Sequence, residues 1–120
     1  MSISKGFVDF VVEQLAGCGP IATKRMFGGV GIYAGDVFFA IIANDVLYLK
    51  ADGETRSDFE RAGSAPFRPY GDERTSMQYY DVPVSILEDA DALAAWGRKA
   101  IAAAVRARGA SSRSSRRRNS

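Results

Sequence analysis

Cys18, a scatter of carboxylates and the run Gly28-Gly29-Val30-Gly31 are the groups in this 120-residue sequence whose types and spacing bear on chemistry. Histidine is absent, which removes the most frequent general base and the most frequent transition-metal ligand. With one cysteine and no histidine, neither a Ser-His-Asp nor a Cys-His arrangement can be assembled. A zinc site would need almost all carboxylate ligands. Cys18 has no CxxC partner, and its neighbours Gly17 and Gly19 bring no charge to stabilise a thiolate, so it reads as an inert loop thiol. The acid pairs Asp72/Glu73 and Glu88/Asp89 fall in loop or helix-start contexts, where carboxylates are solvated or capping rather than a glycosidase pair. No catalytic residue, metal ligand or cofactor is therefore expected, and the sequence reads as non-enzymatic.

Glycine-rich backbone can present N–H groups to an anion, and Lys24 and Arg25 lie just before this one. No Gly-Lys-Ser/Thr follows it and it opens a strand rather than a helix, so the P-loop and dinucleotide fingerprints both fail. The expectation is a bend or β-bulge at Gly28-Gly29, with Lys24, Arg25, Gly28 and Gly29 as candidate anion or partner contacts. The aromatic residues Tyr33, Phe38, Phe39, Tyr48, Tyr79 and Tyr80 are of the kind that stack on RNA bases. Basic residues around them are sparse, so core and strand packing is the expectation.

Charge is unevenly distributed. Arg106, Arg108, Arg113, Arg116, Arg117 and Arg118 form a basic tail, and no acid lies beyond Asp91. Residues 1–105 hold the other ten basic residues and all 14 acids, a net charge of −4 against +6 in the tail. An acidic body is a poor match for a phosphate backbone, so candidate nucleic-acid contacts are confined to Arg108, Arg113, Arg116, Arg117 and Arg118.

The elements that must position these groups follow from periodicity. Residues 4–16 predict a helix, with Phe7, Phe10, Val11 and Leu15 on one apolar face, stopped by Gly17-Cys18-Gly19-Pro20. Residues 23–27, 30–34, 37–43 and 46–51 predict strands, the last three joined at Gly35-Asp36 and Asn44-Asp45, which tolerate the positive φ of tight hairpins. Residues 37–43 are apolar on both faces, as in a strand covered on both sides or at an interface. Residues 52–62 predict a short helix with a Thr55/Asp58 capping pattern, Phe59 in the core and Gly63 as its stop. Residues 64–72 read as loop and 76–82 as a strand, with Met77, Tyr79 and Asp81 on one face and Gln78, Tyr80 and Val82 on the other. A last helix runs from about Asp89 to about Arg106, with Leu93, Trp96, Ala100, Ile101 and Ala104 as its buried stripe.

The order α-β-β-β-β-α-β-α, with two-residue connections too short for crossovers, predicts an α+β fold: a two-layer antiparallel sheet with helices packed on it. The expected division is a domain over residues 1–106 and a disordered basic tail over 107–120, whose Ser, Arg and Asn content cannot offset the entropy of ordering. No apolar run approaches the roughly 20 residues that span a bilayer, the start lacks a signal-peptide pattern, and a lone cysteine suits a reducing compartment. The expected location is the cytoplasm.

At Lys24-Arg25-Met26-Phe27-Gly28-Gly29-Val30-Gly31-Ile32-Tyr33 the sequence resembles the N-terminal domain of the TfoX/Sxy family, regulators of competence and DNA transformation. Agreement continues at Val37-Phe38-Phe39-Ala40-Ile41-Ile42, Leu47-Tyr48-Leu49-Lys50, Phe59-Glu60-Arg61-Ala62-Gly63, Met77-Gln78-Tyr79-Tyr80-Asp81-Val82-Pro83 and Trp96-Gly97-Arg98-Lys99-Ala100, together spanning roughly residues 5–105. The resemblance implies a two-layer α/β domain and a regulatory role exercised by assisting a transcription activator, with no catalytic residues to carry over. Full regulators of the family carry a second, C-terminal helical domain, whereas the residues after 106 here are Arg/Ser-rich. The expected partner is a protein, a transcription activator or the transcription machinery. A homodimer through a sheet edge and nucleic acid held by the tail are further expectations.

Overall fold

The computed structural model describes the backbone of residues 4–26, 28–66 and 78–118. Helix α1 (Lys5–Gln14) begins where Ser4 caps it, the Ser4 Oγ accepting the Phe7 N–H at 3.2 Å. The Ser4 N–H in turn donates to Asp45 Oδ1 at 2.8 Å, fixing the start of α1 against a hairpin turn of the sheet. Val11 and Leu15 are fully buried and Phe7 packs beside them. Phe10, expected on the same face, stays 36% exposed, because Phe7, Val11 and Leu15 at i, i+4 and i+8 form the stripe and Phe10 lies at its margin. A 3₁₀ turn (Ala16–Cys18) and Gly19 at φ 91° redirect the chain.

Among the described residues five strands follow: β1 (Ile21–Met26), β2 (Gly29–Ala34), β3 (Val37–Ala43), β4 (Val46–Lys50) and β5 (Tyr79–Asp81). They form one antiparallel sheet in the order β1-β2-β3-β4-β5. Asn44 (φ 53°) and Asp45 (φ 58°) make the left-handed pair that a two-residue hairpin demands. Of the bend or bulge expected at Gly28-Gly29, the structure has the bend. Met26 pairs with Gly29, so Gly28 at φ 76° belongs to a tight turn, and the register shift falls instead between Ile32 and Tyr33. Phe27, and the part of the expected loop and strand within residues 67–77, lie outside the described residues.

Helix α2 (Arg56–Arg61) buries Phe59 and ends before Gly63 at φ 85°. The Thr55/Asp58 cap does not form. Asp52 Oδ1 instead accepts the N–H groups of Glu54 and Thr55, and Thr55 Oγ1 accepts the Asp52 N–H, an interlocked turn that buries Thr55. After β5 comes a single-turn helix α3 (Val84–Leu87), and then α4 (Ala90–Arg118), with Asp89 Oδ1 accepting the Ala92 N–H. The order thus matches the expected α+β arrangement, with α3 added.

The backbone of α4 continues to Arg118, past the expected end near Arg106. The stretch holds no proline and is rich in Arg, a good helix former whose charge suits a helix C-terminus. Along the packed part of α4, Leu93, Ala94, Ala100, Ala103 and Ala104 are buried, and the helix packs on β3, β4 and the 3₁₀ turn. Trp96, expected in that stripe, is half-buried, its ring edge-on to Phe59 with centroids 4.7 Å apart. No helix among the described residues is long and apolar enough to cross a membrane.

The main core lies between the sheet and the helices, around Phe39, Ile32, Ile42, Leu47 and Leu49. The opposite face of the sheet holds a second cluster: Ile41, Ala43 and Tyr79, with Phe38 and Tyr48 beside them. The two-sided apolarity of β3 is thereby explained.

Candidate functional site

Cys18 sits against α4, its thiol donating to the Ala94 carbonyl at 3.4 Å. Burial pushes the thiol pKa up, and nearby Arg98 only partly opposes this. A raised pKa is the opposite of what a nucleophilic thiol requires. Among the described residues, no three acidic or cysteine side chains gather where a metal ion could be held. A pocket lined by Ala51, Asp52, Gly53, Arg56, Gln78 and Tyr80 offers about 20 Å³, room for a water molecule but not for an organic substrate.

The aromatic residues divide by face. Phe39 and Tyr80 enter the main core. Tyr33, Phe38 and Tyr79 form a row on the other face, with centroids 5.1 Å apart from Tyr33 to Phe38 and 5.6 Å from Phe38 to Tyr79. Lys50 Nζ lies 5.4 Å from the Tyr79 ring centroid. Tyr79 is buried, and that burial, with Tyr33 nearby, pushes its pKa up to about 12. These rings pack tilted against one another, and at Tyr79, which is buried, the row offers little surface to a base.

Lys24, Arg25, Gly28 and Gly29 share β1 and its turn but do not converge on one point. Arg25 is opposite Val30 and Thr23 opposite Ile32, so both project on the helix side of the sheet, whereas Lys24 opposite Gly31 projects on the other side. Gly29 is buried and Gly28 is exposed. What the structure does create is an edge: among the described residues β1 pairs only with β2, and Ala22, Thr23, Lys24 and Arg25 are all exposed. At the opposite margin β5 is covered, because the Asp81 N–H donates to the Ala65 carbonyl and Asp81 Oδ1 accepts the Ala65 N–H.

The tail arginines also divide. Arg106 Nε donates to Asp52 Oδ2 at 2.6 Å and lies 3.1 Å from Glu54, while Arg108 pairs with Asp36 at 3.3 Å. The hydrogen bond from Arg106 holds the Asp52 carboxyl at about 2, and the bond from Arg108 pulls Asp36 below its ordinary value. Although no acid follows Asp91 in sequence, Arg106 and Arg108 are thus paired with acids from hairpin and loop positions distant in sequence. Arg113, Arg116, Arg117 and Arg118 lie on the last turns of the α4 backbone, the first three spaced i, i+3 and i+4 along one side. Sequence reasoning missed Asp36 and Asp52 as anchors. The Asp52–Thr55 spacing marks a turn, but nothing in it reveals the arginine that docks there.

Residues 13–104 match the model of the TfoX N-terminal domain, a span that takes in the whole sheet and most of the packed part of α4. The chain is 31% identical over 81 residues, 67% of its length, to the DNA transformation protein TfoX1 of Aliivibrio fischeri (strain ATCC 700601 / ES114). That stretch covers 37% of the relative, so the chain spans little more than a third of its length. On the extent of the family match, the chain belongs to the TfoX N-terminal domain family.

Proposed function

We propose that this domain is a non-enzymatic regulatory or adaptor module of competence and DNA transformation that works in the cytoplasm through a protein partner, a transcription activator or the transcription machinery. The observation that carries the reading is the family match over residues 13–104, which coincides with the folded body and leaves the distal arginines outside it. The relative's role in DNA transformation gives the process. The raised thiol pKa of Cys18 and the water-sized pocket favour binding over catalysis. Affinity capture from the native host tests this, using the full chain and a variant with Arg113, Arg116, Arg117 and Arg118 changed to Ala. Both should recover the same transcription protein, and recovery of nothing reproducible contradicts the reading.

A second reading rests on those four arginines, which continue past the last acid of the sequence. In it the end of α4 supplies nonspecific affinity for nucleic acid.

A further inference from the structure

We infer that the free edge of β1 is a docking site for an extended acidic segment of a partner protein, which adds to the sheet as a sixth strand. The inference rests on the reading that the domain works through a protein partner, and names the surface and the chemistry of that partner. Three observations carry it. The first is exposure: residues Ala22 to Arg25 are solvent-exposed along a strand whose single neighbour among the described residues is β2. The second is backbone phase. Because Met26 and Gly29 close a tight turn, Met26, Lys24 and Ala22 exchange hydrogen bonds with β2, and Arg25, Thr23 and Ile21 turn their N–H and C=O groups outward. An incoming strand meets these groups as a ready ladder.

The third is charge. Lys5, Arg61, Lys99, Arg106 and Arg108 are each paired with a carboxylate of the body. Lys24 and Arg25 have no ion pair among the described residues, although residues 1–105 carry a net charge of −4. Two adjacent unpaired cations on the open edge repel a second copy. In an antiparallel β1–β1 pairing through those outward groups, Thr23 faces Thr23 or Arg25 of the second copy, which sets the two Lys24 side chains diagonal or directly opposite on one face, like charges in one ladder. They attract an acidic strand instead. Since Lys24 and Arg25 project to opposite faces, the matching segment carries two adjacent acids, one for each face, flanked by β-forming residues.

The probe is a fluorescein-labelled peptide, Val-Thr-Glu-Glu-Val-Thr-Val, titrated against the full chain by anisotropy, with amide exchange read by NMR. Binding is expected at low salt, with slowed exchange at the Thr23 and Arg25 amides. The Lys24→Glu/Arg25→Glu variant should weaken it by about tenfold or more, and Thr23→Pro, which removes an outward N–H while sparing the β2 ladder, by a similar factor. A peptide with its two acids separated by one residue should bind more weakly, because both then lie on one face. No binding to the natural chain, binding unchanged in the charge variant, or sedimentation showing a dimer that Thr23→Pro dissolves, each overturns the inference. Host capture that survives both edge variants also overturns it while leaving the proposed function standing. Peptide binding as described with no host partner supports the edge and counts against the functional reading.

Discussion

Gly97 and Cys18 meet so closely that a Cβ on Gly97 would lie 2.7 Å from Cys18 Sγ and 3.1 Å from Leu15 Cδ2. A glycine inside a helix costs about 1 kcal/mol relative to alanine, so its presence here reflects packing of the α1 end onto α4. Gly97→Ala should destabilise the domain by about 1–3 kcal/mol despite its better helix propensity. Cys18→Ala in the same chain should recover part of the loss. Urea unfolding of the two variants decides it, and a more stable Gly97→Ala protein would show that the contact carries no constraint.

Phe59 and Trp96 form an edge-on pair, but only Phe59 is fully buried. Phe59→Ala should cost about 3–5 kcal/mol, as for a buried aromatic, and Trp96→Ala about 2–3 kcal/mol because its exposed part leaves no cavity. Denaturant titration ranks the two. Equal losses would place Trp96 deeper than its half-buried position.

The Asp52 carboxyl is held at about 2 by Arg106, below its ordinary 3.8. A carboxylate with a depressed folded-state pKa stabilises the fold fully above its unfolded pKa, and the contribution fades as pH falls from about 4 towards 2. The stability gap between the natural chain and Asp52→Asn should therefore be constant from pH 5 to 7 and shrink below pH 4. Melting curves across that range test it, and a gap that widens on acidification would reverse the assignment.

Arg106 and Arg108 are engaged by Asp52, Glu54 and Asp36, so phosphate contacts are expected from Arg113, Arg116, Arg117 and Arg118. Binding to unrelated duplex DNA, where it occurs, should show a log K against log salt slope no steeper than about −3.6, four contacts at about −0.9 each. Changing Arg113, Arg116, Arg117 and Arg118 to Ala should abolish it without moving the melting midpoint by more than about 2 °C. Fluorescence anisotropy at several salt concentrations measures the slope. Sequence-selective binding by the four-alanine variant would place the DNA contacts on the body.

The sheet was legible in the sequence because its turns announce themselves: Gly35, Asn44 and Asp45 supply positive φ, and the alternation of Leu47 and Leu49 with Tyr48 and Lys50 reports one covered face. Faces of β5 were readable for the same reason, Tyr79 and Tyr80 entering opposite clusters. What escaped were features set by tertiary contact. The bulge at Ile32/Tyr33 has no glycine to mark it, and Phe10 looks apolar enough to bury until α1 meets its neighbours. The end of α4 escaped because composition weighs burial, while helical backbone needs only propensity and an uninterrupted run. At the edge, the pair Lys24-Arg25 was visible, but which strand would be left without a neighbour is a property of the assembled sheet.

The central claim is that the body of the domain, and not its arginine-rich end, carries the regulatory role. Transformation frequency in the native host tests it most directly, with the gene deleted and then restored as a chain in which Arg113, Arg116, Arg117 and Arg118 are Ala. The account predicts a loss on deletion and full recovery with this variant. Deletion without a loss, or a loss that the variant does not restore, would contradict it.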